Sequence, residues 1–265
     1  MIRDDLSNEE YHAHPAISSS DVKAVLTSSV WHWKNKGHTE PTPAMQMGTA
    51  VHDMALEGGK NTIRGPENRR GNAWKEADAD AKAKGKLLMV EKEYDMAERI
   101  SQALYADEVC AKQLNAPDAK IEHSLFATCP TTGLELRCRP DLYNPTDRVM
   151  ADVKKTTTAS PDGFMREVYK YRYDVQSCFY KYVADLCDWP VLHFAFLAVE
   201  GSAPHAAHMH VMSQKAMDLA HKDMMKALHQ IADAKKTGEY ETGWGRFTMI
   251  HPPAWIENNH DFEGE

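Results

Sequence analysis

Val191 to Val199 is an apolar run broken only by His193, and it follows the helix-stopping pair Trp189-Pro190. So little polarity over that length suits a strand covered on both faces, because a strand with one wet face would alternate. Helices must then lie on both sides of the sheet, and the flanking sequence supplies them. Pro161 to Leu186 reads as one long helix. Ser213 caps another, which carries Met217, Ala220, Met224, Leu228 and Ile231 on one stripe and ends at Gly238. Lys120 to Thr128, Leu134 to Tyr143 and Arg148 to Thr156 read as three meandering strands, and Ala206 to Met212 as one more. The expected fold class is α/β, a mixed central β-sheet flanked by helices.

The N-terminal part is helical. Ser18-Ser19-Ser20-Asp21 is an N-cap cluster for a helix reaching about Trp33, and a second helix covers about Ala44 to Leu56 before Gly58-Gly59. Ile63 to Gly71 reads as a basic loop, and Trp74 to Lys84 and Glu91 to Leu104 as exposed helices. Residues 1–17 read as an irregular arm, and 239–265 as a loose tail holding Trp244 and Trp255. No linker, repeat or low-complexity tract divides the 265 residues, so a single domain is expected.

Chemistry concentrates on two neighbouring strands. Arg139-Pro140-Asp141 closes one and Asp152-Val153-Lys154 lies in the next, with Asn144-Pro145-Thr146-Asp147 turning between them. Antiparallel pairing brings Asp141 near Asp152, and the two-residue spacing puts Asp152 and Lys154 on one sheet face. Two carboxylates and an ammonium at one point suit phosphodiester hydrolysis with a divalent metal. Hard oxygen ligands hold such an ion, and a lysine can orient water or offset charge growing at phosphorus. An Asp-x-Lys triplet alone is far more often a solvated strand end.

Further candidates surround that pair. His52, in Gly48-Thr49-Ala50-Val51-His52, sits mid-helix and can ligate a metal as neutral imidazole. Glu122 would be a third acid at the sheet edge. Tyr169, Tyr173, Gln176 and Tyr180 recur at helical spacing, so they share one face of the long helix and can present polar groups to the site. Arg64, Arg69, Arg70, Trp74 and Lys75 form a basic loop with one aromatic, able to follow phosphates or stack a base. His205, His208 and His210 could hold zinc, but no cysteine or acid lies near in sequence to complete a site.

Composition narrows the classes. With 26% charged and 42% apolar residues the chain is globular, and no run approaches a membrane span. Met1-Ile2-Arg3-Asp4-Asp5 lacks the apolar core of a secretory signal, so a cytoplasmic location without a membrane partner is expected. Five cysteines without a Cys-x-x-Cys pair argue against a disulfide framework or a four-cysteine metal site. The net charge of −8 argues against nonspecific coating of a polyanion. It leaves room for a nuclease, since metal ions offset active-site carboxylates.

Taken in order, Gly48 to His52, Arg137-Cys138-Arg139-Pro140-Asp141, Asp152-Val153-Lys154-Lys155-Thr156 and Gln176-Ser177-Cys178-Phe179-Tyr180 resemble the motif series of the PD-(D/E)xK nuclease superfamily, RecB-like branch. Leu6-Ser7-Asn8-Glu9-Glu10-Tyr11-His12 with Ile17-Ser18-Ser19-Ser20 makes the chain look like the RecE-type exonucleases (exonuclease VIII family) over about residues 5 to 235. That resemblance implies a PD-(D/E)xK core with an N-terminal helical part and 5′→3′ digestion of linear double-stranded DNA that leaves 3′ overhangs for recombination by annealing. It also implies Mg²⁺ as cofactor (with Mn²⁺ able to substitute), a ring-shaped homo-oligomer and a single-strand annealing protein as partner. Asp141 and Asp152 match the metal-binding acids, Lys154 the catalytic lysine and His52 the motif histidine. Gln176 and Tyr180 match the supporting helix motif, and Glu122 falls where a further acid is expected. An endonuclease, a single-strand-specific nuclease or an inactive DNA-binding protein on the same core remain alternatives.

Overall fold

The computed structural model describes residues 1–37 and 39–256. It opens with strand β1 (Ile2–Arg3) and helices α1 (Asn8–Ala13), α2 (Ser19–Thr27), α3 (Val30–Lys34) and α4 (Pro43–Leu56). Next come β2 (Thr62–Arg64), α5 (Gly71–Ala83), β3 (Leu87–Met89), α6 (Glu91–Ala106) and α7 (Glu108–Leu114). Strands β4 (Lys120–Ile121), β5 (Ser124–Thr128), β6 (Glu135–Cys138), β7 (Leu142–Asn144) and β8 (Val149–Thr156) follow. Helices α8 (Pro161–Lys170) and α9 (Tyr173–Leu186), strands β9 (His193–Glu200) and β10 (Ala207–Val211), and helix α10 (Gln214–Thr237) complete the order.

The main sheet has five strands in the order β10-β9-β8-β7-β4. Strands β8 and β9 are parallel, joined by the α8–α9 crossover, and the other pairs are antiparallel. The apolar run is β9, buried from Phe194 to Val199. Its side chains alternate between two cores, as a two-residue period requires. Phe194, Phe196 and Ala198 pack with Phe164 of α8, Phe179 of α9 and Met224 of α10. Ala195, Leu197 and Val199 pack with Val51 of α4 and Ile100 and Leu104 of α6. The mixed sheet with helices on both faces is therefore as the sequence indicates.

Several boundaries differ, and two of the differences build the site. Lys120 to Thr128 is two strands in different sheets, β4 in the main sheet and β5 in a three-stranded sheet β1-β5-β6. The chain changes sheet at Glu122, whose φ of 56° is left-handed, a conformation uncommon for a residue with a side chain. Leu134 to Tyr143 divides in the same way into β6 and β7 around Arg139-Pro140-Asp141, where Pro140 has no N–H to continue a ladder. No three-strand meander forms. The two crossing points touch, since Glu122 N donates to Asp141 O at 3.3 Å.

The remaining corrections are local. Pro161 to Leu186 breaks at Tyr171–Arg172, with Arg172 at φ 54°, so Tyr169 belongs to a different helix from Tyr173, Gln176 and Tyr180. The helix from Ser18 breaks where Ser28 Oγ donates back to Ala24 O at 2.6 Å and Ser29 starts α3 as its N-cap. Ile63 joins a short parallel pair, β2 with β3, rather than a loop. Of the tail, residues 239–256 are described, with Trp244 and Trp255 exposed, and 257–265 lie outside the described residues.

The N-terminal arm is not irregular. Strand β1 pairs with β5, and α1 starts with a capping box formed by Ser7 and Glu10. Two arginines of the β6–β7 crossing hold this arm down. Arg137, buried, donates to the carbonyls of Tyr11, His12 and Ala16, and Arg139 donates to Leu6 O and Ser124 Oγ. Their guanidiniums lie 4.7 and 4.2 Å from the centre of the Tyr11 ring. Arg137→Met removes a donor from three carbonyls and leaves those of His12 and Ala16 without one among the described residues. It is expected to lower unfolding free energy by at least about 2 kcal/mol in a urea titration. An unchanged midpoint would mean that Arg137 does not anchor the arm.

Candidate active site

The β7–β8 register sets the centre. Leu142 pairs with Ala151, so Asp141, one residue before β7, comes beside Asp152. Both carboxylates are buried. Asp141 Oδ2 accepts the Val153 N–H at 2.7 Å, a bond from the residue between Asp152 and Lys154. That fixes one oxygen of Asp141 and leaves Oδ1 facing His52.

His52 reaches the centre from α4. Its Nε2 lies 3.0 Å from Asp141 Oδ1 and 3.1 Å from Glu122 Oε1. Neighbouring Asp53 points the other way, accepting from Asn61 N and Thr62 Oγ1, which pins the end of α4 to β2. On the far side of Asp141, Lys154 Nζ makes an ion pair with Asp152 Oδ2, and Gln176 Nε2 of α9 donates to Asp152 Oδ1 at 2.7 Å. The Lys154 ammonium is the sole partner of Asp152 Oδ2 among the described residues.

Electrostatics separate these groups. Burial alone would lower the His52 pKa, but Asp141 and Glu122 outweigh it and raise the imidazole to about 11. Burial would raise Asp141, yet His52, Lys154 and the Val153 N–H hold it below the ordinary carboxylate range. Asp152 is pushed up by burial and by Asp141, against the pull of Lys154. Glu122 is pushed up by burial against its contact with His52. Lys154 would be lowered by burial, but Asp152 and Asp141 raise it, so it remains an ammonium.

The residues present fit a divalent cation. One ligand atom each from His52, Glu122 and Asp141 lies within 4.8 Å of the others, the sole such group among the described residues. An imidazole with several carboxylate oxygens suits Mg²⁺ or Mn²⁺ better than a thiolate-preferring metal. Asp152, its Oδ2 paired with Lys154, adds a further carboxylate next to Asp141.

Other candidates are placed differently. Tyr180 is partly buried, and its pKa is raised by burial; its hydroxyl donates to none of the described residues, and its ring packs against Phe194. Arg64 pairs with Glu91 and Asp95, and Arg69 forks onto Glu93 while lying 5.5 Å from the Trp74 ring. Arg70 and Lys75 are exposed. None of these five touches the His52–Asp141–Asp152 group. The three histidines gather no ligands: His205 bonds Glu200 O, and His210 bonds Ala159 O and stacks on Phe164. Lys23 of α2 is the residue that sequence reading missed. Its Nζ lies 5.7 Å over the Tyr173 ring, whose face Lys154 also approaches at 4.8 Å. Nothing in the sequence separates Lys23 from any other helix lysine.

The mixed sheet, with its paired carboxylates and lysine at a sheet crossing, defines a PD-(D/E)xK nuclease-like domain. The chain belongs to the family described as "PDDEXK-like domain of unknown function (DUF3799)", which matches residues 18–247. Nucleases of this superfamily use divalent metals. Among solved structures, the chain is similar to the putative exonuclease of Eubacterium rectale, at TM-score 0.65 and 15% identity over 96% of this chain and 97% of that one. A phage related exonuclease from Haemophilus somnus 129PT aligns at TM-score 0.40 and 11% identity, over 86% of this chain and 99% of that one. No curated protein matches by sequence. Among the described residues, no helix is long and apolar enough to cross a membrane.

Proposed function

We propose that the protein is a Mg²⁺-dependent 5′→3′ exodeoxyribonuclease of the RecE type, acting on linear double-stranded DNA. The observation that carries the hydrolytic reading is the meeting of Asp141, Asp152, Lys154, His52 and Glu122 where the chain crosses between sheets. A protein without chemistry to perform has no physical need to crowd Glu122 against two buried aspartates. Polarity, the 3′ overhang, a ring of subunits and an annealing partner come from the motif resemblance.

In this reading His52, Glu122, Asp141 and Asp152 hold the cation, which when bound withdraws charge from a phosphoryl oxygen and acidifies water. Lys154, an ammonium, cannot accept the proton of the attacking water. It orients that water and offsets charge as the new P–O bond forms and the bond to the leaving sugar oxygen breaks; the water's proton passes to bulk solvent, and the leaving oxygen takes a proton from solvent. Gln176 keeps Asp152 aimed at Lys154.

The test is a linear duplex labelled at one 5′ end, incubated with Mg²⁺ beside a closed circular duplex, with Asp152→Ala as control. Early release of the 5′ label, a spared circle and an inert control are expected. A cut circle would replace the reading with an endonuclease. Absence of cleavage with either Mg²⁺ or Mn²⁺ would leave a DNA-binding protein on a nuclease fold.

A further inference from the structure

Lys154 is neutralised by Asp152, but the second lysine at this site is not neutralised. Lys23 is partly buried and makes no hydrogen bond or ion pair among the described residues. A half-buried amine without a directly paired carboxylate is costly unless an anion arrives. Burial, and then the charge of Lys154, push its pKa down to about 8 against the weaker pull of Asp152 and Asp174, neither of which pairs with it.

The surface leading outward from Lys23 has matching character. Tyr173 covers both lysines with one ring. Tyr171, exposed, lies 5.7 Å from Tyr173 with the rings inclined at 34°. Lys170 Nζ sits 4.9 Å over Tyr171 and likewise has no ion-pair partner among the described residues. Tyr171 stands clear because Arg172 turns left-handed after it, and Arg172 itself is occupied by Asp174 and Asp223. Free ammonium groups interleaved with an exposed aromatic ring are what a nucleic-acid strand uses, phosphates on the cations and a base on the ring. The Arg64–Lys75 loop offers less, since Arg64 and Arg69 already hold carboxylates.

We propose that Lys23 binds a phosphodiester of the DNA strand adjacent to the cleaved linkage, and that Tyr171 stacks a base of the same strand beside Lys170. This rests on the nuclease reading, and the experiment separates the two. Binding of a fluorescent 5′-phosphorylated duplex is followed by anisotropy across a salt series, with Ca²⁺ replacing Mg²⁺. Wild type, Lys23→Met, Lys23→Arg, Tyr171→Ala and the surface control Lys236→Met are compared.

Loss of one phosphate contact is expected to flatten the slope of log K against log salt by about one and to weaken binding about tenfold at 0.1 M salt. Lys23→Met takes that loss, while Lys23→Arg and Lys236→Met keep the wild-type slope. Tyr171→Ala weakens binding with the slope unchanged, because stacking displaces no counterion. Lys23→Met melts no lower than wild type, since it removes an unpaired charge, so weaker binding is not unfolding. Wild-type affinity and slope in Lys23→Met, alongside normal cleavage by the wild type, would overturn this inference alone. A wild type that neither binds nor cleaves duplex DNA would overturn the nuclease reading, and this inference with it.

Discussion

Lys154→Ala is expected to lower Mg²⁺-supported DNA cleavage at least about 10²- to 10³-fold, the range seen when one preorganised donor to a transition state is lost. The ammonium is held in place by Asp152 and kept charged by two carboxylates, despite burial that favours the neutral amine. His52, the other cation at the centre, is taken up by Asp141 and Glu122, and Lys23 makes no ion pair with Asp152, so neither replaces it. Lys154→Gln preserves length without charge and is expected to be as impaired as alanine. Lys154→Arg is expected to recover little, because a planar fork cannot replace a compact ammonium between Asp152 and Tyr173. Folding is checked by thermal melting of each variant. Removal of Lys154 leaves Asp152 with only the Gln176 amide, and its carboxyl, already pushed up, takes a proton instead of remaining a bare charge. A folded Lys154→Ala enzyme cleaving within tenfold of wild type would remove Lys154 from the chemistry.

The strand carrying Asp152 and Lys154 was legible because its signals are local: a Pro-containing turn before it, β-forming residues within it and a fixed two-residue period. The apolar run was legible for the same reason, since burial on both faces suppresses alternation. What the sequence hid lies where the chain leaves one sheet for another. Glu122 in left-handed backbone and the Arg139-Pro140-Asp141 crossing each interrupt a stretch whose composition still reads as continuous strand. The long helix concealed its break similarly, because Tyr171-Arg172 carries no Gly or Pro to announce it. Motif order placed His52, Asp141, Asp152 and Gln176 in one candidate group, and the geometry gathers them. The basic loop shows the converse limit. A cluster of Arg and Lys in sequence does not reveal that Glu91, Glu93 and Asp95, one helix later, occupy two of those charges. Lys23 was invisible because its significance is its distance from Tyr173 and its lack of a partner, both properties of packing.

The chelated protein is expected to lose stability through His52 as pH rises above about 6.5, and divalent metal is expected to restore it. The His52 pKa is raised in the folded state to about 11, against 6.5 when unfolded. The folded form therefore binds the extra proton throughout that window. Its stabilisation is complete below 6.5 and drains away as pH climbs toward 11, by at most about 1.4 kcal/mol per pH unit. For a chain of this size that corresponds to roughly 3–5 °C in Tm per unit. Two groups act in the opposite sense. Cys129, lowered from 9.0 to about 7 by hydroxyl partners that outweigh its burial, gains stability between those values, and Lys23 does so from about 8 to 10.5. Comparison with His52→Gln cancels both. The excess Tm of wild type over His52→Gln in EDTA should shrink steadily from pH 6.5 to 9. A cation at His52, Glu122 and Asp141 needs the neutral imidazole, so it displaces that proton. Stabilisation by Mn²⁺ should therefore grow with pH in wild type and stay flat in His52→Gln, and calorimetry in buffers of different ionisation enthalpy should record proton release on binding. A constant Tm difference across the window would mean that His52 carries no extra proton. Mn²⁺ stabilisation of equal size and pH dependence in both proteins would place the cation elsewhere than the three residues grouped around Asp141.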